Sequence, residues 1–176
     1  FNLADLLRSH AATRPAAPCL SAEGETIGFG EMHTRSSRVA NALRAMGVAA
    51  GNRVAVIARN SPTFYELAFA CAKAGAILVA VNWRLSAREV REILHDAQPT
   101  IVIAGTEQLA LLPASATSHA APVIDLDRDY DAWRDAASDV DPHHRSSADD
   151  TVAMLYTSGT TGLPKGVMIS HRNLGF

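Results

Sequence analysis

The sequence predicts an α/β fold: a layered, mostly parallel sheet flanked by helices. Short apolar runs, Val54 to Ala58, Ile77 to Val81 and Thr100 to Ala104, read as buried strands. Between them lie helix signals. Asn60-Ser61-Pro62 opens a helix through Ala74 with Gly75 just beyond, and the capping box Ser86-Ala87-Arg88-Glu89 opens another from Ala87 to about Ala97. Strands that alternate with helices pair in parallel through right-handed crossovers, and such sheets bind ligands near the carboxyl ends of their strands.

The remaining elements follow in order. Leu3, Leu6, Leu7 and Ala11 have helical spacing, Asn2 can cap that helix, and Pro15 and Pro18 close it. Cys19 to Ala22 and Thr26 to Phe29 flank Glu23-Gly24 as a hairpin, and Met32, Val39, Leu43 and Met46 then form a helical face that ends at Gly47. Gly28-Phe29-Gly30 imitates the start of a dinucleotide-binding G-x-G-x-x-G. The third glycine position is His33, however, and the expected acidic residue is missing near position 50, so a turn is the better reading. From Asp125 to Asp150 the chain carries nine aspartates and few large apolar residues, which reads as a solvated surface linker. His143-His144 in that stretch lacks zinc-like ligand spacing. His10, His33, His95, His119 and His171 have no acid or nucleophile at a recognisable spacing and receive no catalytic role.

The 176 residues, 48% hydrophobic and 19% charged, suffice for a globular domain. A net charge of −2 argues against a nucleic-acid surface. Cys19 and Cys71 sit far apart among small and apolar neighbours, as reduced thiols of a cytoplasmic protein would. The run Leu67 to Val81 includes Lys73 and Gly75 and is shorter than the roughly 20 residues a membrane span needs, so no transmembrane segment is expected. Asp5 and Arg8 near the start do not resemble a signal peptide.

The chemistry concentrates in Tyr156 to Gly166, Y-T-S-G-T-T-G-L-P-K-G, between a strand from Thr151 to Tyr156 and a second strand from Val167 to Ile169. Glycines let backbone N–H groups approach an anion, hydroxyls donate further hydrogen bonds and a lysine adds a mobile positive charge. Counted from Gly159, Pro164 and Gly166 occupy the Walker A positions of the second glycine and of the Ser/Thr. Proline before Lys165 also removes an N–H that a helix-based phosphate loop would use. The stretch therefore reads as a glycine-rich hairpin that holds phosphate.

Tyr156-Thr157-Ser158-Gly159-Thr160-Thr161-Gly162-Leu163-Pro164-Lys165-Gly166 resembles the signature of the adenylate-forming (AMP-binding) superfamily. Gly51-Asn52-Arg53-Val54-Ala55-Val56, Asn60-Ser61-Pro62, Lys73-Ala74-Gly75-Ala76 and Val81-Asn82-Trp83-Arg84-Leu85 agree with its N-terminal portion in order. Asn82-x-Arg84-Leu85 with Glu89 is similar to acyl- and aryl-CoA synthetases. The resemblance implies ATP, magnesium and coenzyme A as reactants and cofactor, with a carboxylic acid as substrate. It places Thr157, Ser158, Gly159, Thr160, Thr161, Gly162 and Lys165 at the ATP phosphates, with Thr157 also near the magnesium, and no catalytic residue within the chain.

The expected organisation is a partial AMP-binding domain over 1–176, with an α/β subdomain over 1–124, the surface linker over 125–150, and the phosphate-loop hairpin with the start of a helix over 151–176. Phe1 instead of Met, and Ser170-His171-Arg172-Asn173 opening a helix at the very end, lead to the expectation of a truncated, inactive N-terminal fragment. The resemblance leaves open an acyl-AMP ligase or an adenylation domain that loads a carrier protein, and a non-catalytic nucleotide-binding module stands as the reading from a different class.

Overall fold

The computed structural model describes residues 2–22, 24–112, 121–158 and 164–175, with Ser158 described by its backbone. The first helix, α1 (Leu3–Thr13), is capped as expected: the Asn2 side chain accepts the Ala4 N–H at 2.9 Å. A two-stranded antiparallel hairpin follows, β1 (Pro18–Ala22) and β2 (Glu25–Gly28), leading into α2 (Phe29–Ala45). The glycines there serve packing. A Cβ on Gly28 would sit 2.8 Å from the Pro15 carbonyl oxygen, and one on Gly30 2.9 Å from the Pro15 Cβ. Pro15 and Ala17 carbonyls already accept the Gly30 and Phe29 N–H groups, so those N–H groups at the start of α2 have no bond to offer a pyrophosphate.

The main sheet has the order β6-β5-β3-β4-β7-β8. Its members are β3 (Arg53–Ile57), β4 (Ile77–Val81), β5 (Ile101–Ala104), β6 (Val123–Asp125), β7 (Thr151–Ser158) and β8 (Pro164–Ser170). The first five in that order run parallel, and β8 returns antiparallel to β7. Period-two alternation divides the core. Val54 and Val56 face a layer containing α2, α3 (Pro62–Ala74) and α5 (Tyr130–Asp135), while Ala55 and Ile57 face α4 (Ala87–Ala97) and the 3-10 helix Thr106–Leu111. Ser86 and Glu89 close the expected capping box on α4, and Gly75 ends α3 at φ +73°. A short α6 (His171–Leu174) follows β8.

The Asp-rich stretch differs from a uniformly solvated linker. Val123–Asp125 becomes a strand by pairing with β5. Asp125 is buried and accepts the Thr106 hydroxyl at 2.7 and 2.9 Å, and Tyr130 is buried with its hydroxyl donating to Glu66 at 2.8 Å. Asp141, also buried, accepts Arg8 Nε and Nη2 at 2.9 and 2.8 Å and lies 3.6 Å from the Lys73 ammonium. These residues supply interior acceptors and packing within an otherwise polar stretch. Between them, Arg38 and Asn41 of α2 donate to the carbonyls of Asp135, Ala137, Ser138 and Val140, which fastens the segment to the body. The His144 ring rests on Gly75.

Both cysteines are free thiols, Cys71 buried and Cys19 half-buried. Burial pushes the Cys71 thiol up to about 12, so it stays protonated and unreactive at neutral pH. Among the described residues no helix is long and apolar enough to cross a membrane.

Candidate functional site

The site is built where β7 outruns its neighbour. β7 pairs with β4 up to Ala80↔Leu155, so Tyr156, Thr157 and Ser158 continue beyond that ladder as one arm of a hairpin. The other arm begins at Pro164. Cross-strand partners are Tyr156↔Gly166, Thr157↔Lys165 and Ser158↔Pro164. Facing positions in an antiparallel pair have Cβ atoms about 5 Å apart, so Thr157 and Lys165 flank the mouth of the loop together. Both are exposed. The sequence-predicted residues Gly159, Thr160, Thr161 and Gly162 lie outside the described residues, and Ser158 is located by its backbone alone.

Beside Thr157 opens a cleft of about 630 Å³. Its walls come from the segments that follow β3 and β4 (Ala58 and Asn60; Asn82 to Leu85), from Phe64 and Ile93, and from Leu155 to Thr157. The topology explains its position. The connection leaving β3 passes through α3 on one face to β4, and the connection leaving β4 passes through α4 on the other face back to β5. Strand order therefore reverses between β3 and β4, and such a reversal leaves a crevice at the carboxyl ends of the strands.

Arg84 lines this cleft, and Arg59 reaches it through the ring of Trp83, another lining residue. Arg59 and Arg84 place their guanidinium carbons 4.7 and 4.4 Å from the Trp83 ring centroid. Asn82 Oδ1 accepts the Arg84 N–H at 3.0 Å, which fixes the turn that presents the pair. Glu107 lies 3.5 Å from Arg59, a loose and exposed pairing. Thr157 and Arg84 in a cleft with apolar walls, with Lys165 across the ladder from Thr157, suit an anionic ligand with an organic body. A smaller cleft of about 300 Å³, between Arg59, Ser61, Gly105, Glu107 and Asp127, carries two carboxylates and suits an anion less well.

At the root of the hairpin, the Tyr156 hydroxyl donates to Asp96 Oδ2 at 2.6 Å. Burial, and then the adjacent Asp96 carboxylate, push the Tyr156 phenol above its usual range, so it remains a neutral donor. Trp83, Arg59 and Tyr156 carry no site role in the sequence reading. Arg59 and Trp83 come from loops after different strands, and the Asp96 partner of Tyr156 lies on a helix, so the fold alone unites them.

The sequence pattern of the AMP-binding enzymes matches residues 7–176. The chain belongs to the AMP-binding enzyme family. Among curated proteins, this AMP-binding chain is 41% identical over 165 residues to the fatty acid–[acyl-carrier-protein] ligase ScoC of Streptomyces coeruleorubidus, covering 93% of the chain and 32% of the relative. It is 33% identical over 180 residues to the long-chain-fatty-acid–CoA ligase FadD13 of Mycobacterium tuberculosis, covering 98% and 36%. ATP-bound MatB from Rhodopseudomonas palustris superposes with a TM-score of 0.89 at 33% identity, covering 98% of the chain and 35% of that structure. The chain thus spans about a third of the length of these relatives.

Proposed function

We propose that the protein carrying this chain activates a carboxylic acid with ATP and transfers the acyl group to the thiol of coenzyme A. In the first step a carboxylate oxygen attacks the α-phosphorus, a P–O bond forms, and the bond to the β-phosphate breaks with its electrons leaving on pyrophosphate. In the second step the thiolate sulfur attacks the acyl carbon and AMP departs.

Thr157, Ser158, Gly159, Thr160, Thr161, Gly162 and Lys165 hold the ATP phosphates in this reading. Hydroxyl and backbone N–H donors with one ammonium, held in place before reaction, stabilise the charge that develops on pyrophosphate as it leaves. Thr157 offers a hard oxygen of the kind magnesium accepts, and that ion would neutralise phosphate charge when it arrives with the nucleotide. The observation that carries the reading is the facing register of Thr157 and Lys165 at the loop mouth, beside the cleft at the strand-order reversal. Because the chain spans about a third of its relatives, the 176 residues alone are proposed to lack turnover.

The test is acid-dependent pyrophosphate exchange by the full-length enzyme. Lys165→Gln should lower the exchange rate about 100-fold. Its melting temperature should be unchanged, because Lys165 is exposed on an edge strand. Unaltered exchange in the variant would remove the assigned role. A second reading is favoured by one observation: ScoC, the 41% identical relative, is an acyl-carrier-protein ligase. Acyl transfer to a phosphopantetheinyl carrier with none to free coenzyme A would select that acceptor.

A further inference from the structure

The loop that the proposed function assigns to ATP sits on an overhang, and something must hold the overhang at a fixed angle to the sheet. Beyond Ala80↔Leu155 the β7–β8 hairpin has left the β4 ladder, and β8 is the edge strand of the sheet. On the overhanging part of β8, Lys165 and Gly166 are exposed, so packing under that arm is thin.

Tyr156 bridges the gap. It is the first residue of β7 past the shared ladder and immediately precedes Thr157. Its ring packs on the apolar cluster that includes Val90, Ile93 and Leu94 of α4. The ring also crosses the partner strand, since a Cβ built on the facing Gly166 would lie 3.1 Å from Tyr156 Cζ and 3.0 Å from Met154 Sδ. A larger residue at 166 would press directly against the ring, which accounts for glycine there without any demand on φ. The Tyr156 hydroxyl then reaches Asp96 in the last turn of α4 at 2.6 Å. That helix is itself rigid, with its capping box at one end and Val90, Ile93, Leu94 and Ala97 buried along it.

We propose that Tyr156, braced by Asp96, is a positioning residue for ATP: the bridge to α4 fixes the hairpin so that Thr157 and Lys165 meet the phosphates in register. This role rests on the acid-activation reading. Without the brace the arms carrying Thr157 and Lys165 are held less firmly to α4, and nucleotide binding bears the cost of aligning them.

Pyrophosphate exchange by the full-length enzyme tests the role, with KM for ATP and for the acid measured separately. Tyr156→Phe keeps the ring and loses the hydroxyl, while Asp96→Ala changes an exposed helix position and guards against misfolding of the first variant. Each should raise the KM for ATP roughly three- to tenfold. Each should leave the acid KM unchanged and melting within about 3 °C of wild type. The double variant should be no worse than either single one, because both remove the same bond. Asp96→Asn retains an acceptor oxygen and should stay within about twofold of wild type. If the wild type exchanges pyrophosphate but both single variants leave the ATP KM unmoved, or lower the melting temperature alone, the role is overturned and the proposed function stands. A wild type without exchange for any acid overturns the proposed function and this role with it.

Discussion

Lys73 is a charged side chain with no exposed surface, and its surroundings explain how it is tolerated. Its ammonium donates to the His33 carbonyl and to Ser37 Oγ, both at 2.7 Å, and lies 3.6 Å from Asp141. Burial still dominates, pushing the ammonium down to about 8 against the pull of Asp141. The sign follows. The unfolded chain holds this proton more tightly, so Lys73 by itself makes stability rise as pH climbs from about 8 towards 10.5, and its full cost is present below 8. Asp141 works the other way. Despite its own burial, hydrogen bonds from Arg8 and the His143 N–H, with Lys73 nearby, hold its carboxyl below the usual range, and that contribution is present above 3.8 and fades in acid. Asp141→Asn should therefore cost about 3–5 kcal/mol in urea unfolding at neutral pH, by leaving Lys73 and Arg8 without their shared anion. Adding Lys73→Met to that variant should recover much of the loss. Equal destabilisation of single and double variants would show that Lys73 does not depend on Asp141.

At the scale of elements, stability rests on a few joints between helices and strands. Gly75 ends α3 at φ +73° and supports the His144 ring, and a Cβ there would clash with His144 Nε2. Gly75→Ala should lower stability by at least about 1–2 kcal/mol from the left-handed backbone alone. Displacement of His144 adds to that, so His144→Ala in the same chain should return the second part and leave the first, as urea midpoints would show. Another joint ties the two ends of the chain together. His171, buried at the start of α6, accepts the Leu3 N–H on Nδ1 at 3.1 Å, which requires that nitrogen to be unprotonated. Burial holds its pKa below 6.5, opposed in part by Asp150. Stability from this joint is complete above 6.5 and falls as pH drops below that value, because the unfolded chain takes up the proton first. The unfolding midpoint of wild type should fall between neutrality and about one unit below 6.5. His171→Gln should reduce that fall without abolishing it, since burial depresses His33 as well. An unchanged pH slope in the variant would exclude His171 as a contributor.

Across the whole molecule, what the sequence reveals depends on whether the structural cause is local. β3, β4 and β5 are buried on both faces and read as apolar runs, and the α4 capping box is complete within four residues, so these were open to inspection. Val123–Asp125 is a strand because β5 lies beside it, and three residues are too few for a period to show. Lys73 gave no sign of its partner because Asp141 sits in a polar stretch whose acids look solvated. Likewise the hairpin was evident from its glycines and flanking strands, while the Arg59–Trp83–Arg84 stack and the Tyr156–Asp96 bond exist only once separate loops and helices converge. The same sheet determines how the 176-residue polypeptide behaves by itself. β8 is an edge strand, Val167 and Met168 on it are 49% and 65% exposed, and Leu155, which faces Val167 across the ladder, is 42% exposed. An edge that combines open backbone groups with apolar side chains on both faces is a template for pairing between copies. The isolated chain should associate with rising concentration in sedimentation velocity. Val167→Lys with Met168→Glu should keep it monomeric, because charge on each face of the strand opposes the stacking of a second edge. A wild-type chain that stays monomeric throughout the accessible range would show that β8 is too short or too twisted to serve as such a template.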